Sequence, residues 1–392
     1  MSSTKNQNSI SFVFTGDIGF DRYMDGKWKD PQFLSEEVLD FLHSGDHIVA
    51  NVEGPIVDLP KNEETSGTAQ LLHTMGPEVT GFLASIGADI WNLCNNHMMD
   101  AGEAGLSATL QEAEKAGART IGAGMCLADA MKPLYFEEAG GIGMFAVGYR
   151  RGCKPAAEDH GGCFLWNEEE LIRQVIAEIK SRCRWCVMVV HGGEEFTALP
   201  SPYTRDRYLR FLEMGVDVLV CHHPHVPMNY EKIGDKMIFY SLGNFIFDTD
   251  YQRAQYHTEE GVLLNLSFTE DAFQFTPCGI RIVRGEERIV RDALPAIFQD
   301  VPGQEYELLA PLAAKMFIAA TKRQQIYLNP GKFRNATDDV WAEHFADPKR
   351  SGRVVGEGLD FFIICPLAEK EAEKAWEKST LTEVRDYILG QM

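Results

Sequence analysis

Apolar runs of strand length alternate with segments of helical spacing along most of this chain, and this alternation limits the possible folds more than any other feature. Strand-like runs begin at Ile10 and Cys186, for example, and residues 31–42 and 168–181 have helical spacing. Strands that alternate with helices are typical of an α/β architecture. From Gly261 the pattern becomes strand-rich, which predicts an antiparallel region at the end of the fold.

The sequence changes again after about Leu294, to charged segments of helical spacing that continue to Gln391. We therefore expect an α/β domain over residues 1–295 and a helical C-terminal extension over residues 296–392. Residues 361–364 (Phe-Phe-Ile-Ile) are too apolar to be left in water, so we expect them to be buried against the main domain or a partner subunit. The oligomeric state stays open.

Charge and cysteine content narrow the partners and the compartment. The chain of 392 residues carries 37 Lys and Arg against 58 Asp and Glu, a formal net charge of −21. Nucleic-acid binding needs clustered basic residues, and no such run occurs, so neither a nucleic-acid partner nor a membrane surface is expected. The nine cysteines are scattered, as is typical of reduced thiols, and no apolar run is long enough to span a bilayer. We expect a soluble, cytoplasmic protein.

Residues whose side chains can bind metals follow five of the strand-like runs. In an α/β sheet, ligands gather at the carboxyl ends of the strands, so loops that are far apart in the sequence can converge on one point. Carboxylates, a carboxamide and imidazoles suit Mn²⁺, Fe or Zn²⁺. The five loops hold Asp17, Glu53, Asn96 with His97, His191, and His223 with His225.

Each of these residues alone has a simpler explanation. A single histidine after a strand is usually a hydrogen-bonded loop residue, and Asp17 or Glu53 alone could cap a helix. It is the combination of all five loops that predicts a metal centre.

The same loops resemble the motifs of a known family, the capsule synthesis CapA or poly-γ-glutamate biosynthesis proteins. The resemblance extends over about residues 10–290, in matching order and spacing. The resembling stretches are Gly16-Asp17 with Arg22, Asn51-Val-Glu53-Gly-Pro55, Asn95-Asn96-His97-Met-Met-Asp100-Ala-Gly102, Gly122-Ala-Gly124, His191-Gly-Gly-Glu-Glu195, His222-His223-Pro-His225-Val226 and Tyr240-Ser241-Leu-Gly243-Asn244-Phe245. The resemblance implies the four-layer αββα sandwich of the calcineurin-like metallophosphoesterases for residues 1–295.

The resemblance also implies a role for each residue of the site. The implied ligands of one divalent ion are Asp17, Glu53 and His225, and those of a second ion are Glu53 as a bridge, Asn96, His191 and His223. The implied catalytic residues are His97, a general acid, and Asp100, which orients its ring. The implied substrate contacts are Arg22, Glu195 and Asn244. Mn²⁺ is the ion that we expect, with Fe and Zn²⁺ as alternatives.

Two positions leave alternatives open. Many calcineurin-type enzymes have a histidine two residues after the first aspartate, where this chain has Gly19. One site therefore lacks an imidazole, which leaves open whether one or two ions bind, and Asp21 is a candidate replacement. The corner that holds Asn244 is explained equally well by a plain turn in which Gly243 supplies an unusual backbone angle.

Two functions fit this pattern. The first is a metal-dependent hydrolase that acts on a phosphoester or an amide-type bond, such as that of a γ-glutamyl polymer. The second is a non-catalytic accessory or binding protein of polymer synthesis. His97 favours the enzyme, because a binding protein has no need of a proton donor there. The expected partner is a small or polymeric anionic substrate, to which Arg22 would supply positive charge.

Overall fold

The computed structural model describes residues 8–58, 72–150, 152–346 and 372–390. Its strands are β1 (Ser9–Ile18), β2 (His47–Val52), β3 (Ile90–Asn92), β4 (Arg119–Ile121), β5 (Ala123–Gly124), β6 (Leu134–Phe136), β7 (Ile142–Gly148), β8 (Gly162–Cys163), β9 (Trp185–His191), β10 (Val218–His222), β11 (Tyr230–Ile233), β12 (Lys236–Phe239), β13 (Asn244–Ile246), β14 (Glu260–Thr269), β15 (Phe273–Val283) and β16 (Arg288–Arg291).

The α-helices are α1 (Glu36–Leu42), α2 (Glu78–Ser85), α3 (Gly102–Ala116), α4 (Leu127–Ala130), α5 (Glu169–Lys180), α6 (Pro202–Met214), α7 (Asp250–Arg253), α8 (Gly303–Leu328), α9 (Pro330–Phe333), α10 (Asp338–Ala346) and α11 (Thr382–Leu389). Short 3₁₀ helices lie at Arg22–Met24, Lys27–Lys29, Glu138–Gly140 and Ala372–Lys378.

The first sheet joins the parallel strands to the antiparallel end of the fold. Its order is β16-β15-β14-β1-β2-β3-β4, and β13 also pairs with β1. Strands β1 to β4 are parallel, whereas β14, β15 and β16 are antiparallel to their neighbours. The antiparallel region predicted after Gly261 is therefore confirmed. It extends the parallel sheet beyond β1, on the side opposite β2.

The second sheet has the order β11-β12-β10-β9-β7-β6, and a small sheet pairs β5 with β8. Side chains alternate between its two faces, because successive residues of a strand point in opposite directions. In β9, Val187 and Val189 belong to a core that also holds Phe12 and Phe14 of the first sheet. Met188, between them, belongs to a second core that includes residues of α5 and α6. The chain has a mixed α/β fold, as the sequence predicts.

Helix α1 is shorter than the helical spacing of residues 31–42 predicts. Leu34 bridges Ile289, and the backbone N–H of Ser35 donates to the carbonyl of Ile289 over 2.9 Å. These residues are therefore held beside β16, and the helix begins only at Glu36.

The C-terminal helices have a core of their own, which includes Leu199 of the α/β region. Leu309 and Leu312 of α8 and Ile388 of α11 belong to this core. The division at residue 295 stays a prediction, and residues 361–364 lie outside the described residues. Among the described helices, none has the length and apolar character needed to cross a membrane.

Candidate metal centre

The ends of parallel strands bring the predicted ligands together. In the first sheet Asp17 is in register with Asn51, two residues before Glu53, and in the second sheet His191 is in register with His222. Loops from both sheets therefore meet at one place. Potential ligand atoms lie within 4.8 Å of one another in three overlapping groups, which are Glu53 with His191 and His223, Asp17 with Glu53 and His225, and Glu195 with His223 and His225.

Glu53 lies at the centre of this cluster, and the environment of its carboxylate favours a bound cation. Its carboxylate is fully buried, and neither oxygen accepts a hydrogen bond from any described residue. Its Oε1 lies 3.6 Å from both His191 Nε2 and His225 Nε2. Burial raises the pKa of Glu53 well above its ordinary value. An unsolvated carboxylate is costly unless a charge compensates it, so these donors fit a divalent metal ion.

Asp17 is held as an anion by a chain of buried amides. Asn51 Nδ2 donates to Asp17 Oδ1 over 2.7 Å, and Asn92 Nδ2 donates to Asn51 Oδ1 over 2.7 Å. Burial opposes ionisation, but hydrogen bonds from His222 and His225 lower the pKa of Asp17 far below its ordinary value. The amide chain fixes Oδ1, and Oδ2 lies 3.2 Å from His225 Nδ1.

Two histidines of one loop point at the cluster from a strained backbone. His223 has a φ of +100° and His225 a φ of +59°, in the left-handed region that non-glycine residues rarely occupy. Although burial opposes protonation, Glu53 and Asp17 raise the pKa of His225 to about 10. Strain of this kind persists only where the surrounding structure holds it, and such strain is common at functional sites.

Asn244, a predicted substrate contact, lies behind His225. Its Oδ1 is 3.0 Å from His225 Nδ1, and its Nδ2 donates to the carbonyl of Thr258 over 2.9 Å. The Asn244 side chain is fully buried. The structure thus places Asn244 where it orients the His225 ring.

Asn96 and His191, predicted ligands of the second ion, contact each other. Asn96 Oδ1 lies 2.7 Å from His191 Nε2. Burial, followed by the neighbouring His223, lowers the pKa of His191 well below its ordinary value. A neutral imidazole is the form that binds a metal ion.

His97 and Asp100 form a largely buried pair at the edge of the cluster. His97 Nδ1 lies 2.8 Å from Asp100 Oδ2, and the other ring nitrogen, Nε2, lies 4.0 Å from Glu53 Oε1. The pair therefore fixes one ring nitrogen and leaves the other on the side of Glu53, which is the arrangement that a proton donor needs.

His73 is a site residue that the sequence reasoning missed. Its Nδ1 lies 2.7 Å from Asp21 Oδ2, and its backbone N–H donates to Asp100 Oδ2 over 2.8 Å. Asp21, the candidate replacement ligand, therefore pairs with His73, and its Oδ1 accepts from the backbone N–H of Arg22. His73 lies in no strand, so the strand-end pattern could not find it.

The missing histidine at residue 19 has a physical reason in the structure. A Cβ atom at Gly19 would lie 2.5 Å from ring atoms of Phe247. The ring of Phe247 also packs against those of His73 and His225, with centroids 4.9 Å away in each case. An aromatic ring therefore fills the space beside Gly19.

The remaining predicted substrate contacts are Arg22 and Glu195. Arg22 begins the 3₁₀ helix that follows β1 and has a φ of +51°. Glu195 Oε1 lies 4.0 Å from His223 Nε2. Sequence reasoning missed the roles of Asn51, Asn92 and His73. Asn51 and His73 donate hydrogen bonds to the predicted residues Asp17 and Asp100, and Asn92 in turn donates to Asn51.

Comparisons with known proteins find a matching family and similar bacterial proteins. The family model described as "Bacterial capsule synthesis protein PGA_cap" matches residues 11–249. The chain is 28% identical over 289 residues to "PGA biosynthesis protein CapA" of Bacillus subtilis (strain 168), a match that covers 71% of this chain and 76% of that protein. It is 25% identical over 270 residues to "Capsule biosynthesis protein CapA" of Bacillus anthracis, covering 65% of this chain and 66% of that protein.

A solved structure of a hypothetical protein from Thermus thermophilus is a weaker match. It covers 69% of this chain and 98% of that chain at 13% identity, with a TM-score of 0.43. The family match, in contrast, covers more than half of this chain and includes every predicted ligand, from Asp17 to His225. The chain therefore belongs to the PGA_cap family of bacterial capsule synthesis proteins, within the metallophosphoesterase-like superfamily.

Proposed function

We propose that this protein is a metal-dependent hydrolase of an anionic substrate, with a phosphoester as the first choice of bond and a γ-glutamyl or other amide-type bond as the second. The observation that carries the proposal is the state of Glu53. A fully buried carboxylate without a hydrogen bond from any described residue, within 3.6 Å of two imidazoles, needs a cation. The relatives' names connect them with capsule or poly-γ-glutamate (PGA) biosynthesis, and we propose that the substrate belongs to this process.

The ions would be held by two groups that share Glu53. The first group is Asp17, Glu53 and His225, and the second is Glu53, Asn96, His191 and His223. This mixture of carboxylate, amide and imidazole donors suits Mn²⁺, with Fe or Zn²⁺ as the other candidates. Bound divalent ions would supply an acidified water and would stabilise negative charge on the attacked group.

His97 supplies the proton in this proposal. Asp100 holds Nδ1, so the proton that leaves is the one on Nε2, which is on the side of Glu53. Transfer of that proton to the leaving-group oxygen would contribute about 10²–10⁴-fold to the rate. Arg22, at the carboxyl end of β1, would supply positive charge to the anionic substrate.

Three wider features belong to the same proposal. Apolar side chains of both sheets share one core, which supports the four-layer αββα sandwich of the calcineurin-like enzymes. The eight described cysteines are free thiols, which supports a reducing, cytoplasmic location. The net charge of −21 supports a protein that has no nucleic-acid or membrane partner.

The second candidate function is a non-catalytic accessory protein of polymer synthesis. The names of the relatives favour it, since they describe biosynthesis and no reaction. The two functions differ in what they require of His97, because only the enzyme needs a proton donor beside the ions.

Metal analysis followed by activity assays would test the proposal. The full chain would be analysed for bound metal and then assayed with Mn²⁺ on a panel of phosphoester and γ-glutamyl substrates. We expect bound metal and turnover of at least one class, and loss of both in Glu53→Gln, which keeps the shape of the side chain. Bound metal with no turnover on either class would favour the accessory function, and an absence of metal binding would contradict the hydrolase.

A further inference from the structure

We propose that Glu195 is a ligand of the metal centre and that the C-terminal helix α8 holds it in place. This inference rests on the proposed function, because it concerns the same centre. It gives Glu195 a different role from the substrate contact that the sequence resemblance implies.

The first argument is the distance from Glu195 to two predicted ligands. Its Oε1 lies 4.0 Å from His223 Nε2, and a carboxylate oxygen of Glu195 lies within 4.8 Å of ring nitrogens of both His223 and His225. Ligands that each lie about 2.0–2.2 Å from one ion are roughly 3–4 Å from one another. Glu195 is therefore within a small side-chain adjustment of sharing an ion with these histidines.

The second argument is that the backbone carries Glu195 to the histidine loop. The N–H of Phe196 donates to the carbonyl of Pro224 over 2.8 Å. Because Pro224 lies between His223 and His225, this bond holds the loop after β9 against the histidine loop. Phe196 has a φ of +61°, and its ring stacks on that of His225 with centroids 5.9 Å apart. This strained corner fixes Glu195 beside the centre.

The third argument is the way in which the Glu195 carboxylate is oriented. Tyr251 OH donates to Oε2 over 3.1 Å, and Gln324 Nε2, from α8, lies 3.5 Å from the same oxygen. Gln324 also donates to Tyr251 OH, and both side chains are buried. Neutral donors such as these orient a carboxylate without neutralising it, as the partners of metal ligands do.

The fourth argument is charge. The proposed substrate is anionic, and a carboxylate in contact with it would repel it. Asp17, Glu53 and Glu195 together carry a formal charge of −3, which two divalent ions would outweigh. Phe247 fills the space beside Gly19, and Glu195, from the loop after β9, would be a further ligand in place of the imidazole that residue 19 lacks.

This role would also explain why the C-terminal extension contacts the site. Ala320 of α8 shares a small core with Phe196 and Tyr251, and Tyr327 packs against the same core. The extension lies entirely beyond the family match at residues 11–249, and it would then act on the metal centre through Gln324.

Mn²⁺ binding to the full chain, measured by calorimetry after chelator treatment and by electron paramagnetic resonance, tests this inference without any substrate. We expect Glu195→Gln to lose one equivalent of Mn²⁺ or to bind it at least tenfold more weakly, with an altered spectrum. Tyr251→Phe and Gln324→Ala keep the carboxylate, and we expect them to weaken binding about tenfold. If Glu195→Gln fails to fold, the Mn²⁺ affinity of these two variants tests the inference instead.

Two neighbours are matched controls. Glu194 accepts hydrogen bonds from Ser201 and Thr204, and Gln325 bonds Asn329 within the C-terminal region. Glu194→Gln and Gln325→Ala should bind Mn²⁺ as the parent does. Binding by Glu195→Gln with the parent's stoichiometry, affinity and spectrum would overturn the inference and leave the proposed function intact. If the parent itself binds no Mn²⁺, the proposed function fails as well, so the two failures are distinct.

Discussion

The ring of His73 meets the ring of His97 edge-on, with centroids 4.3 Å apart and planes 78° apart. Each histidine has its own aspartate, Asp21 for His73 and Asp100 for His97, and the backbone N–H of His73 donates to Asp100. His73 therefore braces the proposed proton donor through both its ring and its backbone.

Removal of the His73 ring should impair proton donation by His97. We expect His73→Ala to lower turnover of alkyl phosphoesters, which need a protonated leaving group, about tenfold or more, and to leave aryl phosphoesters with good leaving groups much less affected. The exposed His160→Ala is the control. Equal losses on both substrate types would mean that His73 only stabilises the fold.

Two histidines of the site should respond differently to the same substitution. His97→Asn should keep its metal and lose about 10²–10⁴-fold in turnover, because it removes a proton donor, whereas His191→Asn should lose both metal and turnover. Metal content, melting temperature and turnover of the two variants would be measured together. A folded, metal-loaded and fully active His97→Asn would show that His97 is not the acid.

The buried amide chain behind Asp17 should matter to both stability and metal binding. Asn51→Ala removes the donor to Asp17 Oδ1 and the acceptor of Asn92, so we expect a loss of about 1–3 kcal/mol in the free energy of unfolding. Metal affinity should fall about 10–100-fold, as for other residues that orient ligands.

Urea denaturation with a chelator present, together with calorimetry of Mn²⁺ binding, would check this. Asn265→Ala, which removes an exposed hydrogen bond to Ser44, serves as the control. A stability loss with unchanged affinity would limit Asn51 to a structural role.

Asp89 gives a pH-dependent prediction outside the metal centre. Its Oδ2 lies 2.6 Å from His47 Nδ1, and its Oδ1 accepts from the backbone N–H of Ile48 over 3.0 Å. Burial opposes ionisation, but these partners lower the pKa of Asp89 below its ordinary value. A carboxyl with a lowered folded-state pKa adds stability above its unfolded-state pKa, and this stability is lost as the pH falls through the folded-state value.

Asp89→Asn should therefore lower the melting temperature at pH 7. The difference in melting temperature between the variant and the parent should become smaller below about pH 4. Thermal unfolding from neutral to acidic pH, with the exposed Asp271→Asn as control, would measure this. A difference that stays constant with pH would assign the effect to lost hydrogen bonds alone.

The sequence predicts the candidate metal ligands better than it predicts the residues that hold those ligands in place, and the reason is physical. Asp17 and Glu53 are visible because they come at or just after the carboxyl ends of apolar runs, and such ends converge in an α/β fold. Asn51 and Asn92 are themselves part of β2 and β3, where a single polar residue looks like an ordinary alternation. His73 has no periodic pattern around it, since its position is set by Asp21 and Asp100, which are far away in the chain.

The C-terminal region illustrates the same limit. Helical spacing indicates a helix near residues 308–319, and α8 includes it. Spacing reports which side of a helix is apolar, and it cannot report that Gln324 reaches Tyr251. Such a contact depends on how two distant segments dock.

The close approach of Phe247 to Gly19 means that the residue types tolerated at these two distant positions depend on each other. A side chain at residue 19 would collide with the Phe247 ring, so a histidine would fit there only if that ring moved or were replaced. A smaller residue at 247 would in turn leave a gap beside His73 and His225. Each change would be harmful without the other, and descendants of this chain would therefore be expected to keep both residues or to exchange both.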